Sequence, residues 1–395
     1  MNRMNRLLRT GLLLFVSLDI HSSLFAQSDE IPDRPLQLWD ASQKIPKTVE
    51  IKSLPHVKFH VIKEHEPTVD GGYGFLHGVA LCWHKGKLYA SWGHNKGIEN
   101  TASEEARGRV SQDGGKTWGE TFTIDSGSDE NLAVSHGVFH SDGEKLWAFM
   151  GAFYGNRQDV HTRAYVLDEQ NGVWKFRGRV IGDGFWPMEE PILMSNGNWI
   201  IGGLKVGAGN PAAVAISHGD DFTRWDVVVI SKPKSIKMWG ESTTLVRDNH
   251  ILNLSRWGGQ AFALLAKSED FGQSWTPSHP TNLPMAGSKP YAGTLSTGES
   301  YLICTTTSDS GHRRSPLTIA LSEAGADSFS RIYTIRDAVF PGGPGESHPK
   351  AKLSYPYAIE HNGSLYVGYS NNGGRSGMNI NSAEMAIIPI SELRK

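Results

Sequence analysis

The chain has 395 residues, with 39 Lys and Arg against 41 Asp and Glu, and its formal net charge is −2. This balance leaves no surplus of positive charge to neutralise phosphates, which excludes a protein that binds nucleic acid chiefly by electrostatics. A hydrophobic content of 38% excludes a protein made of many membrane spans. The 44 Gly and 12 Trp indicate many tight turns and aromatic surfaces on which sugar rings stack.

The first 26 residues have the pattern of a secretion signal. Three arginines in the first nine residues precede the short apolar run 12–18, and the small residue Ala26 lies at a plausible cleavage point. The alternative is a retained N-terminal anchor, although the run is far shorter than the ~20 residues of a spanning helix. We therefore expect a secreted or periplasmic protein without stable membrane insertion, in which residues 27–54 form a leader over the next domain.

A repeat dominates the rest of the chain. Six segments have an apolar run, a short polar turn and a second apolar run, and each predicts a β-hairpin. Their turn residues, which recur every 49–65 positions, are Gly86, Gly143, Gly197, Asn249, Gly298 and Gly363. Six hairpins at a near-constant period indicate six copies of one β unit.

A second motif alternates with the hairpins. Residues 111–118 (SQDGGKTW) and 268–275 (SEDFGQSW) are Asp boxes, and residues 217–225 and 322–329 are degenerate copies. In such a box we expect the Asp side chain to accept hydrogen bonds from the turn backbone while the Trp packs between sheets. The boxes are therefore expected to stabilise the fold and to take no part in chemistry.

Two strands from each hairpin and two that flank the box make four strands per period, as in one propeller blade. The strand predicted at 57–63 and the one at 384–390 can pair in one sheet and close the ring, which removes the exposed edges of an open array. Residues 55–395 are thus predicted to form a single domain, an all-β, six-bladed β-propeller, and the protein is expected to be a monomer.

Asp boxes on a six-bladed frame resemble the sialidase superfamily, over about residues 55–392. Glu241 stands 8 residues before the turn of the fourth hairpin and Arg256 stands 7 after it, like the family element that supplies the base carboxylate and a carboxylate-binding arginine. Tyr355, in SYPYAIEHNG, resembles the family's tyrosine nucleophile. The resemblance implies a glycoside hydrolase in which a tyrosine, activated by a glutamate, attacks the anomeric carbon. A purely structural ion pair between Glu241 and Arg256 is the alternative.

One landmark of the family is absent. Sialidases open their first blade with an F/Y-R-I-P motif whose Arg grips the substrate carboxylate, and this chain has Phe-Leu-His-Gly there, with His77 in the third place. Arg313 or Arg314 before the fifth-blade box and Arg375 in the sixth-blade loop are candidate substitutes. The three-arginine clamp is incomplete, so strict specificity for sialic acid is not expected.

The histidines suggest a different chemistry. His77 and His94, on the two strands of the first hairpin, are predicted to face each other at the channel mouth, with His136 and Tyr154 from the second blade nearby. This set resembles the sites of propeller polysaccharide lyases that act on rhamnose and uronic acid polymers. In β-elimination an imidazole shields the uronate carboxylate while a Tyr or His removes the C5 proton. Elimination through these histidines is the first alternative to hydrolysis, and structural strand-end histidines are the other interpretation.

Propeller geometry places residues just before and just after each hairpin at the channel mouth. By this rule the further substrate-binding candidates are Trp92, Glu190, Tyr291 and Tyr357. A second alternative is a non-catalytic glycan-binding propeller that stacks sugars on Trp92, Trp186 and Trp257. The favoured prediction is an exo-acting glycoside hydrolase for an extracellular acidic glycan, with Tyr355, Glu241, His77 and His94 as catalytic residues.

Metal and cofactor motifs are weak. No C-x-x-C or H-E-x-x-H spacing occurs, and no cofactor is expected. Asp125, Asp129 and Glu130 could hold a structural calcium ion, although a solvated acidic loop explains them as well. Cys82 and Cys304 could pair in an oxidising compartment, but both lie in apolar runs that favour buried free thiols.

Overall fold

The computed structural model describes residues 32, 34–68, 71–127, 130–377 and 379–394. The predicted secretion signal therefore lies outside the described residues. Within them, the chain forms six antiparallel sheets arranged as the blades of a propeller, and neighbouring blades touch through their inner strands. No helix of the described part of the chain is long and apolar enough to cross a membrane.

The six blades follow one another along the chain, and the strands of each blade are ordered from the channel outwards. Blade 1 consists of Phe75–His84, Lys87–Asn95, Glu105–Ser111 and Phe122–Asp125. Blade 2 consists of Leu132–Ser141, Leu146–Tyr154, Gln158–Asp168 and Val173–Ile181. Blade 3 has an interrupted inner strand, Phe185–Pro187 and Ile192–Leu193, followed by Trp199–Lys205, Ala212–His218 and Asp221–Val229.

The second half of the ring repeats the pattern. Blade 4 consists of Met238–Arg247, His250–Trp257, Phe262–Ser268 and His279–Pro284. Blade 5 consists of Tyr291–Thr294, Glu299–Cys304, Leu317–Ala324 and Phe329–Arg336, with Lys52–Ser53 added outside. Blade 6 consists of Leu353–His361, Ser364–Asn371, Ser382–Pro389 and Lys58–Lys63. A 3-10 helix, Thr48–Glu50, precedes the blades, and a helical turn, Ile390–Leu393, ends the described chain.

The ring closes through blade 6. Its outer strand, Lys58–Lys63, comes from the N-terminal side of the chain and pairs antiparallel with the last strand, Ser382–Pro389. The joint is thus made by hydrogen bonds between the two ends of the domain, which leaves the ring without an open edge at this point. The predicted all-β, six-bladed propeller closed by terminal strands is confirmed.

The segment before the propeller packs on blades 4 and 5. Leu36 forms a parallel bridge with Thr281, and Trp39 forms one with Phe329. The side chain of Asn282 accepts hydrogen bonds at 2.8 Å from the backbone N–H groups of Leu38 and Trp39. Both of these leader side chains are buried, so this part of the leader is fixed by packing as well as by hydrogen bonds.

The two Asp-box segments form the same turn between the third and fourth strands of blades 1 and 4. Asp113 Oδ1 accepts hydrogen bonds from Ser111 Oγ at 2.8 Å and from the backbone N–H of Thr117 at 2.9 Å. Its Oδ2 accepts one from Thr117 Oγ1 at 2.6 Å, and Asp270 receives the equivalent three bonds. Ser111 is paired with Leu88 beside the hairpin turn, so this loop lies at the end of the blade opposite His77.

Replacement of Asp113 by Ala is expected to lower Tm by a few degrees and to leave turnover per folded molecule unchanged. The hydrogen bonds from Thr117 lower the pKa of Asp113 below its unfolded value. Its stabilising effect is therefore complete above the unfolded pKa of about 3.9 and is lost as pH falls through the lower folded pKa. Thermal unfolding at pH 7 and at acid pH measures this, with the exposed Glu64→Ala as control; loss of activity at native Tm would contradict it.

The two cysteines are buried free thiols, Cys82 in blade 1 and Cys304 in blade 5. Burial raises the pKa of the Cys304 thiol to about 11. A disulfide between them is not formed, because each side chain is packed inside a different sheet.

Candidate active site

A cavity of about 1010 Å³ opens at the end of the ring where the inner strands begin. Of the residues predicted for the site, six line it, from four blades and the loop before the third strand of blade 5: His77, His136, Glu241, Arg256, Arg314 and Tyr355. Trp186 and Arg313 also line it. The cavity thus collects an acid, a phenol, imidazoles and guanidiniums from segments far apart in the sequence.

Irregular inner strands position these side chains. The register of the inner strand shifts after His77 in blade 1, between Val134 and Gly137 in blade 2, between Met238 and Ser242 in blade 4 and between Ser354 and Tyr357 in blade 6. Such β-bulges interrupt the alternation of faces and redirect a side chain. Four blades therefore each turn one chemically active group towards the channel mouth.

Two of these bulges have left-handed backbone. Tyr355 has φ of 54°, which is unfavourable for a residue with a bulky side chain and is held only by its surroundings. Gly78 has φ of 70°, and a Cβ there would come within 2.3 Å of the His136 ring. Glycine at position 78 is thus required both by the backbone and by the close approach of His136.

Tyr355, Glu241 and Arg256 form a chain of contacts on the cavity wall. The Tyr355 hydroxyl donates a short hydrogen bond to Glu241 Oε1. Glu241 Oε2 accepts one from Arg256 Nη1 at 2.7 Å, and the two side chains are only 6% and 18% exposed. Burial raises the pKa of the Tyr355 phenol well above its usual value, and the negative charge of Glu241 raises it further. The phenol is therefore protonated at rest and has a carboxylate in place to accept its proton.

The histidines of blades 1 and 2 pack against this phenol. The rings of His77 and Tyr355 have centroids 3.8 Å apart, and the rings of His77 and His136 lie 5.6 Å apart. Burial lowers the pKa of His77 well below its usual value, with the neighbouring positive charges adding to the effect, and burial lowers that of His136 to about 3. Both imidazoles are neutral near pH 7 and offer hydrogen bonds rather than charge.

His94 does not face His77, contrary to the sequence-based prediction. In the hairpin His77 is paired with Gly93, and successive side chains of a strand point to opposite faces, so His94 points away from the cavity. Its ring lies 4.5 Å from that of Tyr73, and its Nδ1 is 3.4 Å from Arg107 Nη1. The prediction used the number of residues between His94 and the hairpin turn and did not consider which face of the strand the side chain occupies.

Five other predicted residues also lie outside the cavity: Trp92, Tyr154, Glu190, Tyr291 and Tyr357. Trp92 is fully buried in the hydrophobic core, and Tyr154 stacks against His161 with centroids 6.0 Å apart. The remaining three meet nearer the hairpin turns, where the Tyr291 hydroxyl donates to Glu190 Oε2 at 2.5 Å. The prediction placed these three residues at the channel mouth, whereas the structure has them deeper in the channel than the cavity.

Arg375, predicted as a substitute cation, forms an ion pair with Glu346 and is not part of the cavity wall. Asp125, one of the predicted calcium ligands, accepts a hydrogen bond from the Tyr165 hydroxyl at 2.5 Å and pairs with Arg163 at 3.4 Å. Asp129, another of them, lies outside the described residues. Within the described parts of the chain no group of three or more His, Cys, Asp or Glu is arranged to hold a metal ion.

The cavity also contains residues that the sequence did not single out. Glu99 and Asn100 come from the loop after the second strand of blade 1, and Trp239 comes from the start of blade 4, with the Arg157 guanidinium 5.3 Å from its ring. Asn381 donates to the Leu76 carbonyl at 2.6 Å beside His77. The long connection between the second and third strands of blade 1 could have indicated this loop, because it follows a strand that ends near the channel mouth.

The different faces of His77 and His94 lead to a prediction. His77→Gln is expected to lower kcat/KM on the true substrate by about 30-fold, equivalent to ~2 kcal/mol of transition-state stabilisation. His94→Gln is expected to lower Tm and to leave kcat/KM of the folded fraction nearly unchanged, because its ring contacts Tyr73 rather than the cavity. Steady-state kinetics of both variants measure this, and equal kinetic losses would contradict the assignment of faces.

The fold has many solved relatives at low identity. The Hadza microbial sialidase Hz136 matches with a TM-score of 0.62 and 12% identity, over 83% of this chain and 68% of that one. NanB sialidase of Streptococcus pneumoniae has a TM-score of 0.60 and 12% identity, over 82% and 70%. A covalent intermediate of Trypanosoma rangeli sialidase with 2,3-difluorosialic acid has a TM-score of 0.58 and 14% identity, over 90% and 60%.

These identities establish a shared fold and nothing finer. No curated protein sequence matches the chain. The family model of the BNR repeat-like domain matches residues 86–367, which is more than half of the sequence. The match begins after the first strand of blade 1 and ends within the second strand of blade 6. The chain therefore belongs to the BNR repeat-like domain family.

Proposed function

We propose that the protein is a glycoside hydrolase that removes an acidic sugar from the end of a glycan, with Tyr355 as nucleophile and Glu241 as its base. The observation that carries this proposal is the hydrogen bond from the Tyr355 hydroxyl to Glu241, whose other oxygen is held by Arg256, in the wall of a large cavity. The sialidase neighbours support a reaction at a glycosidic bond, and the predicted secretion signal favours a glycan outside the cytoplasm.

A tyrosine nucleophile suits an acidic sugar. An anionic carboxylate nucleophile would be repelled by a carboxylate near the anomeric carbon, whereas a neutral phenol is not. Glu241 accepts the phenol proton as the Tyr355 oxygen attacks the anomeric carbon. Before this step, Arg256 stabilises the ionised carboxylate of Glu241. In the second step a water molecule bonds to the anomeric carbon as the bond from that carbon to the Tyr355 oxygen breaks. The phenolate takes its proton back from Glu241, and the water gives a proton to the carboxylate of the acid that protonated the leaving group.

The cavity also supplies cations for the sugar carboxylate. Arg256 and Arg314 both line it, and both are close enough for their positive charges to lower the pKa of the Tyr355 phenol, against the larger effect of burial. Arg314 Nη2 donates to the Gly287 carbonyl at 2.8 Å, which fixes the direction of its guanidinium. Neutral His77 occupies the place where a third arginine is found in sialidases, so the substrate carboxylate is bound by two arginines instead of three and is held less tightly.

Glu99 is the proposed general acid, which protonates the oxygen of the leaving group as the glycosidic bond breaks. Burial raises the pKa of its carboxyl, and the negative charge of Glu241 raises it further. Because a general acid must be protonated, kcat/KM is expected to fall as pH rises through the raised pKa of Glu99, and Glu99→Gln should lose this alkaline limb together with about 10²-fold of activity. The pH dependence of kcat/KM for wild type and variant measures this.

The nature of the leaving group provides the control for Glu99. A nitrophenolate departs without protonation, so Glu99→Gln should cleave a nitrophenyl glycoside nearly as fast as wild type and an alkyl-linked oligosaccharide far more slowly. Equal losses on both substrates would assign Glu99 to substrate binding instead of acid catalysis.

Eliminative cleavage is less well supported. Elimination needs a base near the C5 proton. Burial lowers the pKa of His136 to about 3, which makes it a weak base, and Tyr154, the tyrosine of that scheme, lies outside the cavity. His94, the third histidine of that scheme, lies outside the cavity.

A panel of end-labelled acidic oligosaccharides tests the proposal. Release of a saturated acidic monosaccharide supports hydrolysis, whereas a product that absorbs in the ultraviolet reveals an unsaturated uronate and supports elimination. Binding without any product on the whole panel would favour a glycan-binding propeller and would refute the proposed reaction.

A further inference from the structure

The cavity carries far more positive than negative charge. Among the described residues, two carboxylates, Glu99 and Glu241, line it against six Lys and Arg side chains: Arg157, Arg256, Arg313, Arg314, Lys350 and Lys352. The chain as a whole has a net charge of −2. The surplus is therefore a local property of this cavity, and a cleft lined by one sign of charge concentrates ligands of the opposite sign.

Two of these cations have side-chain partners that also line the cavity. Arg256 pairs with Glu241, and Arg157 lies over the Trp239 ring. Arg313, Lys350 and Lys352 are exposed at the mouth of the cavity, and none of them takes part in an ion pair among the described residues. The Arg313 guanidinium donates to the backbone carbonyls of Asp309 at 2.7 Å and Ser310 at 3.2 Å, which carry no net charge. These three residues form the cationic rim.

The cationic rim is held together by backbone contacts between blades 5 and 6. The N–H of Leu353 donates to the carbonyl of Arg314 at 2.7 Å, which places Lys352 directly beside the pair Arg313 and Arg314. The N–H of Lys352 donates to Asn372 Oδ1 at 2.7 Å. The rim thus lies on the same side of the cavity as Arg314 but closer to solvent.

The cavity is large enough for more than the sugar that reacts. Its volume of about 1010 Å³ is at the upper end of the range for small-molecule sites. If Arg256 and Arg314 bind the carboxylate of the terminal sugar, the rim cations lie beside the unit to which that sugar is linked. We propose that the cationic rim binds a second anionic group, a carboxylate or a sulfate, on that neighbouring unit, so that the substrate is a polyanionic glycan.

This inference rests on the proposed function for the orientation of the substrate in the cavity, but it can be tested without catalysis. Binding is measured by isothermal titration calorimetry on the full chain carrying Tyr355→Phe, so that no probe is consumed. The probes are chitotetraose, a hyaluronan tetrasaccharide and a chondroitin sulfate tetrasaccharide, which present no acid, carboxylates, and carboxylates with sulfates. Comparison of the last two distinguishes a carboxylate from a sulfate as the preferred group.

We expect at least one anionic probe to bind about tenfold more tightly than chitotetraose, with the preference falling as salt rises. Lys350→Gln with Lys352→Gln should remove most of this preference, and Arg313→Gln should reduce it independently. The matched control is Lys87→Gln with Lys116→Gln, which removes the same charge from exposed lysines at the opposite end of blade 1.

Equal affinity for the neutral probe, no binding of either anionic probe, or the same loss in rim and control variants overturns the inference. Failure of the proposed reaction has a different signature, since a protein that binds polyanionic probes through the rim and releases no product retains the cationic site and lacks the hydrolase activity.

Discussion

Replacement of Tyr355 by Phe is expected to lower kcat by at least about 10³-fold, because the phenol oxygen is the atom proposed to bond to the anomeric carbon. Phe retains the ring that packs against His77 at 3.8 Å, so the fold and the shape of the cavity should be preserved. Wild-type protein treated with 2,3-difluorosialic acid or 2-deoxy-2-fluoroglucuronyl fluoride should carry a covalent sugar on the peptide that contains Tyr355. Mass spectrometry of the intact protein and of its peptides measures the adduct.

Tyr357→Phe is the matched control. This tyrosine lies two residues further along the same strand, is buried and is outside the main cavity. We expect its kcat to stay near that of wild type and its peptide to remain unlabelled. A Tyr355→Phe enzyme with normal kcat, or a label on another residue, would remove Tyr355 from the mechanism.

The architecture could be predicted because it depends on patterns that repeat. The six hairpin turns recur every 49–65 positions, and the closing strand was predicted at 57–63 where the structure has Lys58–Lys63. A propeller repeats its hairpin in every blade, so local sequence signals add to one another. The contact between Tyr355 and Glu241 joins blades 4 and 6, and no local pattern encodes it; the family resemblance suggested it.

The side-chain directions could not be predicted from the sequence for a physical reason. A β-bulge adds one residue to one strand and reverses which face the next side chains occupy. The inner strand carrying His77 has such an irregularity, whereas His94 sits in a regular stretch of the partner strand. Counting residues from the turn therefore placed both at the channel mouth, and only the register shows that they point to opposite faces.

Glu99 and the two lysines of the cationic rim were missed for a related reason. They lie in connections between strands, where no periodic pattern fixes the direction of a side chain. Lys350 and Lys352 become part of the cavity through the backbone bond between Leu353 and Arg314, two residues 39 positions apart. Such a contact between loops of different blades follows from the closed ring and could not be assigned from spacing alone.

Replacement of Glu241 by Gln is expected to lower kcat by about 10²- to 10⁴-fold while KM for an acidic substrate stays equal or falls. The amide cannot take the proton of Tyr355, which burial keeps on the phenol, so the nucleophile is no longer activated. The same change leaves the Arg256 guanidinium without its counter-charge and removes a negative charge from the cavity, so a substrate carboxylate binds at least as well. Steady-state kinetics that separate kcat from KM measure both effects.

Two further variants separate the chemistry of Glu241 from its structural role. Glu241→Ala opens a space beside Tyr355, and millimolar formate, a small carboxylate, should restore part of kcat where chloride at equal ionic strength does not. Glu346→Gln breaks another Arg–Glu pair, that with Arg375, outside the cavity and should leave kcat unchanged. If Glu346→Gln lost as much kcat as Glu241→Gln, or if formate gave no recovery, Glu241 would be a partner that holds Arg256 in place, and the base for Tyr355 would have to be sought elsewhere in the cavity.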